Sequence, residues 1–193
     1  MARQIVARQQ GDDYQARWFW LNACALLDDY SEVEKVVHED HTLRSFDDVA
    51  VYYCSSHTNN RGMPLNADFY QVKFHVTSNG AMTGEAFCAP AFIGAKTVSL
   101  LQRMKNAYDH CHSKGIHHRL FLLTPWTIHP DDHLATLHSQ SDGSIRWDAL
   151  ADGGKRSKSG KLRKQWREHL GLQNDDELRL LLAGVRIKQG PTL

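Results

Sequence analysis

The chain has 193 residues, 41% hydrophobic and 23% charged, a composition typical of a globular protein that buries a core without disulfide bonds. Its formal net charge of +1 excludes a global basic field, so a nucleic-acid partner must bind a local basic patch. The four cysteines are far apart, no apolar run is long enough to span a bilayer, and the N-terminal residues are too polar for a signal sequence. We therefore expect a cytoplasmic protein with free thiols and no membrane partner.

The first half of the chain predicts one helix followed by three strands. The helix runs from Tyr14 to about Asp28, and because its apolar residues surround it almost completely, we expect it to be deeply packed. Short apolar runs then predict strands over Glu34–Glu39 and Val49–Tyr53. A loop rich in turn-forming residues separates these from a third strand, which carries Gln71 and Lys73 and runs to about Val76.

The second half predicts an irregular segment over residues 84–94, a helix over 97–113 and a buried strand over 119–124. From Gly153 the sequence becomes small and basic, which indicates a mobile loop, and helices follow over 161–170 and from 175 to about 184. Residues 185–188 alternate like the start of a strand. We predict an α-β-β-β-α-β core over residues 1–152. A basic loop and helical extension over 153–193 then packs on the core or leads to a further domain.

Two acids and a Gln-x-Lys pattern lie on neighbouring predicted strands. Asp47 and Asp48 open the second strand, and Gln71 and Lys73 project from one face of the third because alternate strand residues share a face. Carboxylate and amide oxygens bind Mg²⁺, and a lysine can stabilise the negative charge that develops on a phosphate. Because an amide replaces one carboxylate, a further acid is favoured, and Glu39 ends the preceding strand. The pattern predicts a metal-dependent phosphodiesterase site. In the competing interpretation the acids only cap a strand and the lysine lies on a solvated face.

Four segments in chain order carry a resemblance to a known family: Gly11-x-x-Tyr14-Gln15, Val36-x-x-Glu39, Asp47-Asp48-Val49-Ala50-Val51 and Asp68-Phe69-Tyr70-Gln71-Val72-Lys73-Phe74-His75. Together they resemble the double-stranded DNA endonuclease domain of CBASS-type (CD-NTase-associated) anti-phage effectors. That domain is a Gln-x-Lys variant of the PD-(D/E)xK superfamily, related to Mrr-type and Lamassu nuclease domains. The resemblance is strongest over residues 11–75 and weaker over 162–172. It implies an α/β, restriction-endonuclease-like core with a mixed central sheet flanked by helices.

The resemblance also implies an activity and a set of roles. The activity is Mg²⁺- or Mn²⁺-dependent cleavage of double-stranded DNA in antiviral defence. By position, Asp48 and Gln71 would be metal ligands and Lys73 the charge stabiliser. Glu39 would be an additional ligand or water-orienting acid, and Gln15 a helix-borne group that reaches the site. Asp47 is the alternative to Asp48 as the metal ligand. We favour Asp48 because it directly precedes the apolar strand.

The same resemblance implies that the chain is a homo-oligomer or a defence-complex subunit, with a fused or associated sensor or NTPase domain. The alternative function is a catalytically inactive nucleic-acid-binding or partner-recruiting module of a defence complex. Flexible basic segments suit contact with the DNA phosphate backbone without sequence reading. The candidate residues for this contact are Lys155, Arg156, Lys158, Lys161, Arg163 and Lys164. A solvated loop and helix face is the competing interpretation of these charges.

Overall fold

The computed structural model of the protein describes residues 2–60, 62–73 and 82–189. One five-stranded sheet has the order β1-β2-β3-β4-β5, with β1 at Val33–His38, β2 at Val49–Tyr53, β3 at Ala67–Val72, β4 at His118–Thr124 and β5 at Val185–Gln189. The helices are α1 at Ala2–Ala23, α2 at Leu100–Ser113, α3 at His133–Leu137, α4 at Trp147–Ala151, α5 at Lys158–Leu170 and α6 at Asp175–Ala183. Neighbouring strands from β1 to β3 are antiparallel, and those from β3 to β5 are parallel.

The predicted order α-β-β-β-α-β is confirmed, and the sheet is mixed and flanked by helices. The C-terminal segment, expected mainly as a helical extension, also adds a strand to the sheet. Val185 and Ile187 of β5 are fully buried, and α5 and α6 pack beside α2. The segment 84–94, predicted to be irregular, contains two short 3-10 helices at Ala86–Cys88 and Pro90–Ile93.

The main core lies between one face of the sheet and the helices α2, α5 and α6. Phe69 and Leu122 of the sheet share this cluster with Met104 of α2, and all three are fully buried. Trp166 of α5 is also fully buried and donates its Nε1–H to the carbonyl of Gly84 at 2.8 Å. Gly84 is thereby fixed against α5.

The opposite face of the sheet is covered only in part, by α1. Tyr14 is buried and Trp18 makes an edge contact with Tyr70, whereas Trp20 and Leu21 are 65% and 63% exposed. The prediction of a deeply packed helix was therefore wrong. Only the stripe of α1 at i, i+4 spacing faces the sheet, and no second layer covers its outer side among the described residues.

The small basic segment after Gly153, predicted to be a mobile loop, forms an exposed turn that leads directly into α5. The Ser157 side chain caps α5, so this helix begins three residues earlier than expected. Gly160 is buried so closely that a Cβ there would lie 2.3 Å from the carbonyl oxygen of Gly154. Ser159 donates to the carbonyl of Ala149 at 3.1 Å, which ties the start of α5 to α4.

Candidate functional site

Asp48 and Gln71 meet where β2 begins and β3 ends. Val49 pairs with Tyr70, so Asp48 and Gln71 lie opposite each other one residue further along the two strands. Their side chains project from the same face of the sheet. The Gln71 Nε2 donates a hydrogen bond to Asp48 Oδ2, and the backbone N–H of Val72 donates to the same oxygen at 2.5 Å. Asp48, rather than Asp47, is therefore the acid in contact with Gln71.

The carboxylate of Asp48 is largely desolvated. This burial raises the pKa of Asp48. Hydrogen bonds from the Val72 N–H and from Gln71, together with the charge of Lys73, act against this rise, whereas the charge of Asp47 adds to it. A desolvated carboxylate of this kind gains stability when a cation lies beside it.

Lys73 follows β3 directly and continues its pairing with β4, because its N–H donates to the carbonyl of Leu123 at 2.9 Å. Its side chain is half-buried. Burial lowers the pKa of Lys73, the charge of Asp48 opposes that shift, and the charge of Arg103 on α2 adds to it. Lys73 is thus within electrostatic reach of the Asp48–Gln71 pair. The predicted continuation of the strand to about Val76 lies outside the described residues.

Gln15 reaches the pair from α1, on the other side of the sheet. Its Nε2 donates to the main-chain carbonyl of Asp48 at 3.1 Å, and not to a side chain of the site. The contact holds the first residues of β2 in place. Gln15 is therefore a positioning residue for Asp48.

Glu39 lies beside the pair through its backbone only. Its N–H donates to the carbonyl of Asp48 at 3.0 Å, but its φ of 54° is left-handed and breaks the alternation of the strand. The side chain is exposed, and within the described ranges no contact joins it to Asp48 or Gln71. Over the same ranges no three His, Cys, Asp or Glu residues form a group that could hold a metal. The site therefore offers one carboxylate and one amide.

These two groups fit a weakly held Mg²⁺ or Mn²⁺ ion. Both side chains offer hard oxygen ligands, and Gln71 can bring its Oε1 toward Asp48 by turning its amide group over. Mg²⁺ commonly takes one or two carboxylates and completes its shell with water and substrate phosphate. The half-buried carboxylate of Asp48, when ionised, would supply the negative charge such an ion needs.

The predicted DNA-contact residues divide into two groups. Five are exposed: Lys155, Arg156, Lys158, Lys161 and Lys164. Arg163 is different, because its guanidinium donates to the carbonyls of Leu150 and Gly153 and pairs with Asp175 at 3.2 Å. Arg163 therefore joins α4, the following turn and α6, and its side chain is committed to the fold.

Sequence reasoning missed the roles of Arg103 and Asp68. Arg103 lies near the start of α2, the helix between the parallel strands β3 and β4. A helix that connects two parallel strands begins near the end of the first strand, and Lys73 directly follows the end of β3. That topological rule could have indicated it. Asp68 lies in one of the segments that carry the family resemblance, but it is 1% exposed. It forms a two-point ion pair with Arg119 at 2.5 and 2.7 Å and accepts a hydrogen bond from the Tyr53 hydroxyl at 2.7 Å. Asp68 is a structural residue.

Comparison with known proteins gives one informative similarity. No protein-family model matches the chain. It is similar to CD-NTase-associated protein 4 of Enterobacter hormaechei subsp. hoffmannii (strain UCI 50), with 41% identity over 196 aligned residues that cover the whole of this chain. The chain spans 39% of the length of that relative. No helix in the described part of the chain is both long and apolar enough to cross a bilayer.

Proposed function

We propose that the chain is a Mg²⁺- or Mn²⁺-dependent endonuclease, and its similarity along its whole length to a CD-NTase-associated protein supports a place in a CD-NTase-associated system. Its substrate is double-stranded DNA, and its role is that of an effector in CBASS anti-phage defence. The observation that carries the proposal is the contact between Asp48 and Gln71 at the end of β3, beside the half-buried Lys73. The α-β-β-β-α-β order with a mixed sheet is compatible with a restriction-endonuclease-like core.

Each residue then has a specific role. Asp48 and Gln71 would hold the cation, which would supply Lewis-acid chemistry to the phosphoryl group and the attacking water. Lys73 places a positive charge where negative charge builds up on the phosphate during cleavage. Gln15 fixes the main chain of Asp48, and Glu39 is an additional ligand or water-orienting acid once its exposed side chain turns inward.

The partners form part of the same proposal. The name of the relative links that protein to a CD-NTase, and the relative is longer than this chain. We extend the association to this chain as a subunit of a defence complex or a homo-oligomer, with a fused or associated sensor or NTPase domain. Oligomerisation would bring together the two sites that are needed to cut both strands.

Cleavage of supercoiled plasmid tests the activity. We expect nicked and linear products with Mg²⁺ or Mn²⁺, none with EDTA, and a rate about 10²-fold or more lower for Lys73→Ala, because its charge acts on the phosphate. Lys114→Ala removes an exposed lysine at the other end of α2 and should cleave normally. DNA binding without cleavage would select the inactive nucleic-acid-binding module instead, and neither binding nor cleavage would select the partner-recruiting module.

A further inference from the structure

A second feature lies next to the candidate site. A cleft of about 550 Å³ separates the β1–β2 connection from α2. Its lining contains no carboxylate and includes two arginines, Arg44 and Arg103, and two histidines, His41 and His110. Because the whole chain has a net charge of only +1, the cleft is a local concentration of positive charge. The Lys155–Lys164 segment is not part of it.

One wall of the cleft is a loop with a fixed conformation. Asp40 is buried at the start of the loop and accepts a hydrogen bond from the Tyr52 hydroxyl at 2.6 Å. Leu43 and Phe46 are 3% and 0% exposed and anchor the loop in the core. Arg44 lies between these two anchors and is exposed, so the loop presents it at a defined position.

The other wall is the polar face of α2. Arg103, Asn106 and His110 recur at i, i+3 and i+7, which places them on one side of the helix. A neighbouring side of α2 holds the helix on the sheet through the buried residues Leu100, Leu101, Met104, Ala107 and Cys111, and Ala107 also lines the cleft. Within the described ranges, neither Arg103 nor Arg44 has an ion-pair partner. Both guanidinium groups are thus available to a ligand.

The cleft lies beside the candidate site. The loop that carries Arg44 leads within four residues to Asp48, and Arg103 is close enough to Lys73 for its charge to lower the pKa of that lysine. Helix α2 also packs on the face of the sheet from which Gln71 projects. A strand held in the cleft would therefore lie beside the site.

We propose that this basic cleft binds the sugar–phosphate backbone of duplex DNA beside the bond to be cut, with Arg44 and Arg103 each contacting a phosphate. The inference rests on the proposed nuclease function and adds the surface that guides the substrate. The planar fork of arginine matches the oxygen atoms of a phosphate, and arginine stays charged throughout the physiological pH range. Contacts of this kind position the strand without reading its sequence.

The salt dependence of DNA binding tests the cleft. A fluorescein-labelled duplex of random sequence is titrated with the full chain in EDTA, which prevents cleavage, at a series of salt concentrations, with fluorescence anisotropy as the signal. The slope of log K against log[salt] is negative, and each lost phosphate contact makes it shallower by about 0.9. The double variant Arg44→Gln/Arg103→Gln should therefore lose about 1.8 from the slope. Lys114→Gln, on the same helix but outside the cleft, should leave it unchanged.

Thermal melting followed by circular dichroism shows whether each variant is folded. If the double variant melts early, the single Arg44→Gln exchange, which changes one exposed loop side chain, should still lose about 0.9 from the slope. An unchanged slope in a folded variant would overturn the cleft proposal, even if plasmid is cleaved. A reduced slope in a protein that never cleaves would support the cleft and overturn the nuclease function.

Discussion

Replacing Gln71 by glutamate tests whether this side chain and Asp48 occupy one site. Gln71 is 3% exposed, and its Nε2 donates to Asp48 Oδ2. The exchange Gln71→Glu removes this hydrogen bond and places a second carboxylate in direct contact with a desolvated one. Because the two residues are opposite each other on paired strands, neither can move away without disturbing the sheet.

The size of the effect follows from Coulomb's law. Two unit charges about 4 Å apart repel by about 4 kcal/mol at an effective dielectric constant of about 20. This value is an upper limit, because one of the two carboxyl groups can take up a proton and remove the repulsion. We therefore expect Gln71→Glu to lower the free energy of unfolding by about 2–4 kcal/mol at pH 8 in the absence of metal.

The loss should depend on pH and on metal. Repulsion raises the folded-state pKa of the pair above the unfolded values of about 4, in the same direction as the burial that already raises the pKa of Asp48. The folded state then binds a proton more tightly than the unfolded state. The destabilisation is therefore small at low pH and grows as the pH rises through the folded-state pKa. Mg²⁺ should restore stability to this variant more than to the parent, because two carboxylates bind it more tightly.

Urea unfolding at pH 5 and pH 8, in EDTA or Mg²⁺, measures these differences through tryptophan fluorescence. Gln140→Glu adds the same charge at an exposed position and is the matched control, with an expected change below about 0.5 kcal/mol. If both variants unfold at the same urea concentration at both pH values, residue 71 does not contact Asp48 and the described site is incorrect.

Three further substitutions test the packing at the start of α5, the anchoring of Asp48 by Gln15 and the structural role of Arg163. Gly160→Ala should destabilise the protein by about 1–3 kcal/mol in urea because its Cβ would meet a backbone carbonyl, whereas Gly154→Ala, with open space around it, should cost less than 1 kcal/mol. Gln15→Ala should slow plasmid cleavage by about tenfold, the equivalent of about 1.4 kcal/mol for one lost hydrogen bond, and the exposed Gln9→Ala should not. Arg163→Ala should cost about 1–3 kcal/mol of stability and leave the salt dependence of DNA binding unchanged.

The strands and the central pair could be predicted because short-range patterns determine them. Apolar residues over Val49–Tyr53 mark a strand, and Asp48 directly precedes it, so its position at the end of the sheet follows from the sequence. The spacing of Gln71 and Lys73 likewise places them on one face of the next strand. Nothing in either segment conflicts with the period of two that a strand requires.

Features that depend on tertiary packing could not be predicted in the same way. The left-handed backbone of Glu39 directs its side chain away from the pair, and no neighbouring residue signals that conformation. Trp20 is exposed because the sheet offers α1 only a narrow surface, which local hydrophobicity does not reveal. Arg163 has the composition of a DNA-binding residue, but its partners lie on α4 and α6 and meet it only in the folded chain.

The central claim is that Asp48 holds the cation that phosphodiester cleavage requires. Mg²⁺-dependent plasmid cleavage by Asp48→Ala and Asp47→Ala, compared side by side, tests it most directly, because the two substitutions remove equal charge from adjacent residues and only Asp48 contacts Gln71. We predict that Asp48→Ala abolishes cleavage and that Asp47→Ala retains most of it. Full activity in Asp48→Ala, or loss of activity in Asp47→Ala alone, would contradict the proposed site.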